Sequence, residues 1–210
     1  MAETDSLTEQ RILNAAHAVF VRRGTAGART QEIAEEAGVN KALLHYYFRS
    51  KERLAEAVFQ RAAGRLFRSV IETMQSDASI EEKVERVIEI ELENLSRSPF
   101  LPGYILSELH QRPDRAGQLV ASVTGVAEGG FAPAMLGKLK VQLEERIGAG
   151  TMRPITPEQF MANLLSVCIF PFAACPLLKV AFGWDDAGFA RFIEVRKRTL
   201  GEFFLNGLRP

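Results

Sequence analysis

The chain has 210 residues, with 26 basic and 26 acidic side chains, and 47% of its residues are hydrophobic. This length and composition are ordinary for a soluble globular protein with one large or two small domains. Because the formal net charge is zero, the bulk basic charge that usually accompanies nucleic-acid binding is absent, and any DNA-binding surface must depend on the local placement of charges.

Apolar residues recur every three or four positions along the chain, which predicts an all-α fold. Capping signals support several helix starts, including Ser50, the capping box at Ser79–Glu82 and a second box that begins at Thr156. Cys168 and Cys175 fall within the uncharged stretch Phe160–Leu178, which predicts one buried helix with both thiols too far apart for a disulfide. The predicted helices cover, in chain order, about Leu7–Arg23, Gln31–Ala37, Lys41–Phe48, Ser50–Met74, Ile80–Ser98, Phe100–Gln111, a helix from Pro113, Phe131–Ile147, a helix through Phe160–Leu178 and Asp186–Asn206.

The segment TQEIAEEAGVNKALLHYYFRSK, from Thr30 to Lys51, predicts two short helices joined by a tight turn. Ala34 is small where a second helix must cross closely, and Gly38 supplies the left-handed backbone that a helix end needs before such a turn. This arrangement is typical of a helix-turn-helix, whose second helix enters the major groove of DNA. An ordinary hairpin of two helices is the alternative.

The second helix of this segment presents two different faces. Leu44 and Phe48 fall together and are expected to point inward. The opposite face carries small, apolar and ring side chains in place of solvated charge: Ala42, Leu43, His45 and Tyr46. Such a face suits contacts to base edges and phosphates.

The first 60 or so residues resemble the DNA-binding domain of TetR/AcrR-type transcriptional regulators, through RILNAAHAVFVRRG and EIAEEAGVNKALLHYYFRSKERL. The resemblance implies a three-helix helix-turn-helix domain over residues 1–52 and a larger helical domain for effector binding and dimerisation over residues 53–210. It further implies DNA contacts by Thr30, Gln31, Lys41, Ala42, His45, Tyr46, Tyr47 and Lys51, with Lys51 on a phosphate. The outward face of the second helix adds Leu43 as a candidate contact, and the position before Thr30 adds Arg29.

Two positions depart from the family's usual pattern. His45 stands where family members usually have Tyr, and Ala28-Arg29 replace hydroxyl residues that commonly precede the first helix of the motif. We therefore expect Thr30 to cap that helix and Arg29 to reach a phosphate directly.

The last two major helices are rich in phenylalanine, which predicts a dimer interface in the form of a four-helix bundle. The alternative is that one protomer buries all of these side chains in its own core. The predicted interface residues are Phe160, Leu164, Val167, Phe189, Phe192, Arg196 and Phe203.

Two carboxylates interrupt apolar helix faces, Glu91 among Ile88, Leu92 and Leu95, and Glu108 beside Leu109. A buried carboxylate is costly unless it is paired. Either a pocket for a cationic or hydrogen-bonding ligand or an arginine on a neighbouring helix would explain each one. With Tyr104, these two carboxylates form the candidate ligand-binding set.

The resemblance implies a ligand-responsive transcriptional regulator, most often a repressor in this family, that binds a palindromic operator in double-stranded DNA as a homodimer and is released by a small-molecule effector. A helical enzyme or small-molecule carrier is the rival, but the three histidines form no metal-ligand or catalytic pattern, so we expect no enzyme activity, metal or cofactor. A DNA-binding protein without an effector is a third possibility. The polar start Met1–Asp5 is unlike a secretory signal, and we expect a cytoplasmic protein without membrane contact.

Overall fold

The computed structural model describes the backbone of residues 2–124 and 131–210, and their side chains except at 2–5, 65, 122–124 and 131–135. Within these ranges every regular element is a helix, which confirms the predicted all-α fold. The helices are α1 (Ala2–Gly27), α2 (Thr30–Ala37), α3 (Lys41–Phe48), α4 (Lys51–Gln75), α5 (Ile80–Arg97), α6 (Leu101–Gln111), α7 (Asp114–Thr124), α8 (Phe131–Gly148), α9 (Pro157–Ala173), α10 (Cys175–Phe182) and α11 (Asp186–Asn206).

The chain forms two compact units. Unit 1 consists of Met1–Arg65 and Gly103–Leu119, and unit 2 consists of Leu66–Pro102 and Val120–Pro210. The predicted domain division after residue 52 stays a prediction. The boundary between the two units within α4 lies between Arg65 and Leu66, and residues 103–119 pack with the N-terminal segment.

Unit 1 is built around the helix-turn-helix. Helix α1 packs on α2, and α2 packs on α3. Gly24 has a positive φ of 68° and kinks α1 where the sequence predicts its end. The core of this unit includes Ile12, Ala16, Val19, Phe20, Ile33, Leu44, Leu54 and Phe59.

In unit 2, α5 packs against both α9 and α11, and α8 packs against α9. Helix α5 begins with the predicted capping box, in which the hydroxyl of Ser79 accepts from the amide of Glu82 and the Glu82 carboxylate accepts from the amide of Ser79. The core side chains of α5 are Ile80, Val84, Val87, Ile88, Leu92 and Leu95. Their apolar stripe is the surface on which α9 and α11 are assembled.

The prediction of a single helix through Phe160–Leu178 was wrong, because the chain bends by 67° between α9 and α10. Pro176 lies in the first turn of α10, where its missing N–H is tolerated, but it cannot continue the hydrogen bonds of α9. Cys168 and Cys175 consequently lie on different helices, and both are buried free thiols. Among the described helices, none alone has the length and composition of a membrane span, and α9 and α10 meet that test only as a bent pair.

Candidate nucleic-acid interface

The turn between α2 and α3 is fixed by its backbone and by a side chain from α1. Gly38 adopts the left-handed conformation, with φ 63° and ψ 37°, and its amide donates to the carbonyl of Glu35 at 3.0 Å. The guanidinium of Arg11 donates to the carbonyls of Ala37 at 2.7 Å and Gly38 at 3.2 Å. These bonds attach α1 to the turn and set the angle at which α3 leaves it. The role of Arg11 was missed from the sequence, since no local pattern connects it to residues 26 positions away.

Helix α3 begins at Lys41, as predicted, because Asn40 caps it. The side-chain oxygen of Asn40 accepts from the amide of Leu43 at 2.7 Å, which satisfies one of the unpaired N–H groups of the first turn. Leu44 and Phe48 are buried and seat the helix in unit 1. The short helix is therefore held at both its first turn and its inner face.

The outer face of α3 carries the predicted DNA-contacting side chains. His45 and Tyr46 are exposed, Tyr46 to 64%, and Lys41 and Ala42 are exposed beside them. Leu43 and Tyr47 are half-buried at the edges of this face. The rings of Tyr46 and Tyr47 meet edge to face with centroids 5.4 Å apart, which restricts the positions that the Tyr46 ring can take. The arrangement offers a hydrogen-bonding imidazole and phenol on a rigid support.

The start of α2 differs from the expectation that Thr30 caps it. Arg29 occupies the N-cap position with an extended backbone, φ −105° and ψ 138°, and Thr30 is the first helical residue. Arg29 is exposed and Thr30 is half-buried. Gln31 is exposed, and its side-chain amide donates to the carboxylate of Glu35 at 2.8 Å. The capping prediction failed because the hydroxyl of Thr30 lies one residue too late to accept from the first-turn amides.

The acidic residues of α2 are paired within unit 1. Glu32 accepts from Arg23 at 2.8 Å, and Glu36 accepts from Arg22 at 3.1 Å. These arginines come from the end of α1 and offset negative charge that would otherwise repel phosphates near α3. The balanced composition of the N-terminal segment therefore hides a local separation of charge, because the basic residues that follow α3 have no part in these pairs.

Lys51 holds the loop before α2. Its ammonium donates to the carbonyls of Ala26 at 3.3 Å and Ala28 at 3.2 Å, and its side chain is half-buried. The predicted contact of Lys51 with a phosphate would therefore compete with two bonds that join α4 to the loop.

Arg49 ends α3 in an unusual backbone conformation, with φ 61° and ψ −43°. A positive φ is energetically unfavourable for any residue other than glycine, and backbone strain of this kind concentrates at functional sites. The amide of Arg49 donates to the carbonyl of His45 at 2.8 Å, and its side chain is exposed. Arg53, in the first turn of α4, is also exposed. Two exposed arginines thus follow the buried end of α3 closely in the chain.

The three candidate ligand-binding residues fall into two environments. In unit 1, buried Glu108 forms an ion pair with Arg115 on α7, so the interpretation of an arginine on a neighbouring helix is the right one for this residue. Tyr104, also in unit 1, is buried, and burial raises the pKa of its phenol to about 12, an effect that the Thr25 hydroxyl partly offsets. In unit 2, Glu91 is fully buried, and burial raises the pKa of its carboxyl to about 8.

The predicted interface residues are divided between the core and the surface of unit 2. Phe160, Leu164 and Phe189 are buried inside the protomer and cannot meet a partner, so the alternative of a core position is correct for them. They were assigned to an interface because the sequence does not reveal which side chains of the same protomer meet them: Phe160 meets Phe204 and Phe189 meets Phe172, with ring centroids 5.3 Å and 5.7 Å apart. Of the remaining predicted residues, Val167, Phe192 and Arg196 are half-buried and Phe203 is 70% exposed.

Comparisons with known proteins bear on the N-terminal segment most strongly. The family described as bacterial regulatory proteins, tetR family, matches residues 12–58. The HTH-type transcriptional regulator BetI of Rhizobium meliloti (strain 1021) is 35% identical over 79 residues, which cover 38% of this chain and 39% of BetI. The HTH-type transcriptional repressor SCO4008 of Streptomyces coelicolor is 38% identical over 84 residues, covering 40% of this chain and 38% of the relative. The alignments thus span about two-fifths of the length of these relatives.

The fold as a whole is also found among solved structures. A TetR family transcription regulator from Marinobacter aquaeolei VT8 superposes with a TM-score of 0.65 over 96% of this chain and 97% of that chain, at 16% sequence identity. At this identity the similarity shows the fold alone. The matching relatives carry the names of transcriptional regulators, which supports the prediction of a regulator over that of an enzyme.

Proposed function

Because the chain belongs to the TetR family of bacterial regulatory proteins, we propose that it is a DNA-binding transcriptional regulator. In this proposal a homodimer binds a palindromic operator, represses the adjacent gene and is released when a small-molecule effector binds. The observation that carries the proposal is the outer face of α3, where exposed His45 and Tyr46 stand on a helix seated by buried Leu44 and Phe48.

In the bound state α3 would lie in the major groove. Lys41, Ala42, Leu43, His45, Tyr46 and Tyr47 would line the contact, and Arg29, Thr30 and Gln31 would approach the backbone from the start of α2. The imidazole and the phenol can each donate or accept, which suits readout of base edges. The exposed guanidinium groups of Arg29, Arg49 and Arg53 can pair with phosphates, which positions the helix but carries no sequence information.

Lys51 can either position the loop before α2 or contact a phosphate directly. Its two carbonyl bonds support a role in positioning, because they fix the loop that precedes α2 against the start of α4. A direct phosphate contact would require the ammonium to give up at least one of these bonds.

The homodimer is proposed from the exposed apolar surface of the last three helices. Phe203 on α11 is joined there by five other large apolar side chains, each at least half exposed: Phe170, Leu177, Val180, Phe182 and Val195. A concentration of exposed large apolar side chains on successive helices favours an interface. A second copy of the chain is the occupant that a palindromic operator requires, because two-fold symmetry of the protein matches two-fold symmetry of the DNA.

Selection of binding sites from a randomised duplex library tests the DNA-binding part of this proposal. The full-length protein should enrich an inverted repeat whose half-sites lie about one helical turn apart. Tyr46→Ala should lose this enrichment, whereas Phe100→Ala, which removes a similarly exposed ring outside the helix-turn-helix, should keep it. Failure of the wild-type protein to enrich any sequence would refute DNA recognition.

A further inference from the structure

Glu91 is a buried carboxylic acid without a hydrogen-bond partner in the part of the chain that the structure describes. Its side chain is 0% exposed, and both of its oxygens lack a hydrogen-bond partner among the described residues. Another buried carboxylate, Glu108, is neutralised by an ion pair with Arg115. Buried polar groups in proteins are nearly always satisfied, and an orphaned carboxyl group requires an explanation.

The surroundings of Glu91 are apolar. Val87, Ile88, Leu92 and Leu95 are the buried side chains next to it on α5. Helix α9, which packs against α5, contributes buried Leu164 and Cys168 to the same core. Such side chains suit contact with the hydrocarbon part of a ligand.

Few charged or titratable groups of the described residues act near Glu91. The pKa of the Cys168 thiol is raised to about 12, first by burial and then by the charge of Glu91, so the two groups are neighbours across α5 and α9. Arg196 on α11 acts on the same thiol in the opposite direction. Its guanidinium, however, donates to the carbonyl of Val167 at 2.7 Å and 3.2 Å and does not neutralise Glu91.

We propose that Glu91 anchors an organic cation, an ammonium group on an apolar body, which enters unit 2 as the effector. This inference rests on the proposed regulator function and names the chemistry of its ligand. An ammonium group would donate to the two carboxyl oxygens that lack a partner among the described residues, and the apolar side chains around Glu91 would contact the rest of the molecule. An anionic ligand would gain no ion pair from Glu91, because the carboxyl group is either neutral or negatively charged. A metal ion would need several protein ligands, and the described residues contain no group of three His, Cys, Asp or Glu side chains that could hold one.

Binding of a cation has a consequence for protons. Near neutral pH the buried carboxyl group is largely protonated, because its pKa is about 8. An arriving ammonium favours the ionised form, so the protonated acid and the cation give an ion pair and one released proton. Binding should therefore release up to one proton per site and should strengthen as the pH rises towards the pKa. A neutral ligand that only donates hydrogen bonds would release no proton.

The experiment uses isothermal titration calorimetry on the full-length protein, in two buffers with different ionisation enthalpies. The probes are primary alkylammonium ions from butyl- to octylammonium, with the alcohols and carboxylates of the same chain lengths for comparison. Wild-type protein should bind a member of the ammonium series, release a proton on binding and bind the matching alcohol and carboxylate much more weakly. The proton count and the comparison of headgroups need no variant.

Two variants on α5 identify the residue responsible. Glu91→Gln keeps the shape but not the charge, and it should weaken alkylammonium binding about 10- to 100-fold and abolish proton release. Glu89→Gln makes the same change at an exposed position on the same helix and should bind as the wild type does. The proposal is overturned if no ammonium ion binds, if the alcohols bind equally well, or if folded Glu91→Gln binds like the wild type. Binding of DNA is measured without any ligand, so failure of this inference and failure of the proposed function give separate results.

Discussion

The guanidinium group of Arg115 on α7 lies 2.9 Å from the carboxylate of Glu56 on α4. The same group pairs with Glu108 on α6 and lies over the ring of Phe59, with its central carbon 5.5 Å from the ring centroid. Arg115 is almost fully buried. One side chain thus connects three helices of unit 1, and it joins residues 103–119 to the helix that follows the helix-turn-helix.

Replacement of Arg115 by Met should destabilise the protein by about 3–5 kcal/mol, because it leaves Glu108 buried without a counter-charge. Arg112→Gln is the matched control. Arg112 forms a surface ion pair with Asp114 at 3.3 Å, and pairs of this kind contribute at most about 1 kcal/mol. Urea unfolding curves of both variants check the prediction. Equal losses for the two would mean that the buried cluster has no special role in stability.

Gly38→Ala should destabilise the helix-turn-helix by about 1–2 kcal/mol. The positive φ of Gly38 is strained for alanine, and an added Cβ would lie 3.0 Å from the Arg11 nitrogen that holds the turn. Gly137→Ala, within α8, meets nothing within 4 Å and should instead stabilise by about 0.5–1 kcal/mol. Thermal unfolding of the two variants compares them, and a neutral Gly38→Ala would show that the turn relaxes without cost.

The stability of the wild-type protein should fall as the pH rises from about 5 to about 8.5, because of Glu91. The folded-state pKa of about 8 lies above the ordinary value of 4.5, so the unfolded chain releases the proton over this range while the folded protein keeps it. Over this pH range the free energy of unfolding of the wild type should fall by on the order of 4 kcal/mol more than that of Glu91→Gln, because the variant lacks this titrating group. Urea titrations at several pH values measure the difference, and parallel pH profiles for the two proteins would argue against a protonated Glu91.

Phe203→Asp should weaken the proposed homodimer at least tenfold, because it places a charge on the exposed apolar surface of α9–α11. Val141→Asp changes an exposed apolar residue on α8, outside that surface, and should leave self-association unchanged. Sedimentation velocity over a range of protein concentrations reports the monomer–dimer equilibrium. A dimer that tolerates Phe203→Asp must use another surface.

The sequence predicted those features that depend on neighbouring residues. The bounds of α3 and α11 agree with the prediction, because Asn40 and Asp185 cap them locally. The break before α10 was missed, since Pro176 is equally compatible with an irregular stretch inside a helix and with the first turn of a new one.

Features that depend on distant residues were not predictable. Glu91 and Glu108 each interrupt an apolar helix face, yet among the described side chains an arginine lies against Glu108 and none pairs with Glu91. Periodicity gives the direction of a side chain but not what a second helix brings to meet it. The same limit applies to Phe160, which is buried against the ring of Phe204 on α11, and to Arg11, whose bond to the carbonyl of Ala37 crosses 26 positions.

The claim that α3 reads DNA is tested most directly by the affinity of the Tyr46→Ala protein for the duplex that the wild type selects. Fluorescence anisotropy at fixed salt should show that Tyr46→Ala binds this duplex about 10- to 100-fold more weakly than the wild type. The melting temperature and the oligomeric state should be unchanged. An affinity for that duplex equal to the wild type's, in a folded Tyr46→Ala protein, would contradict the assignment of this face to DNA.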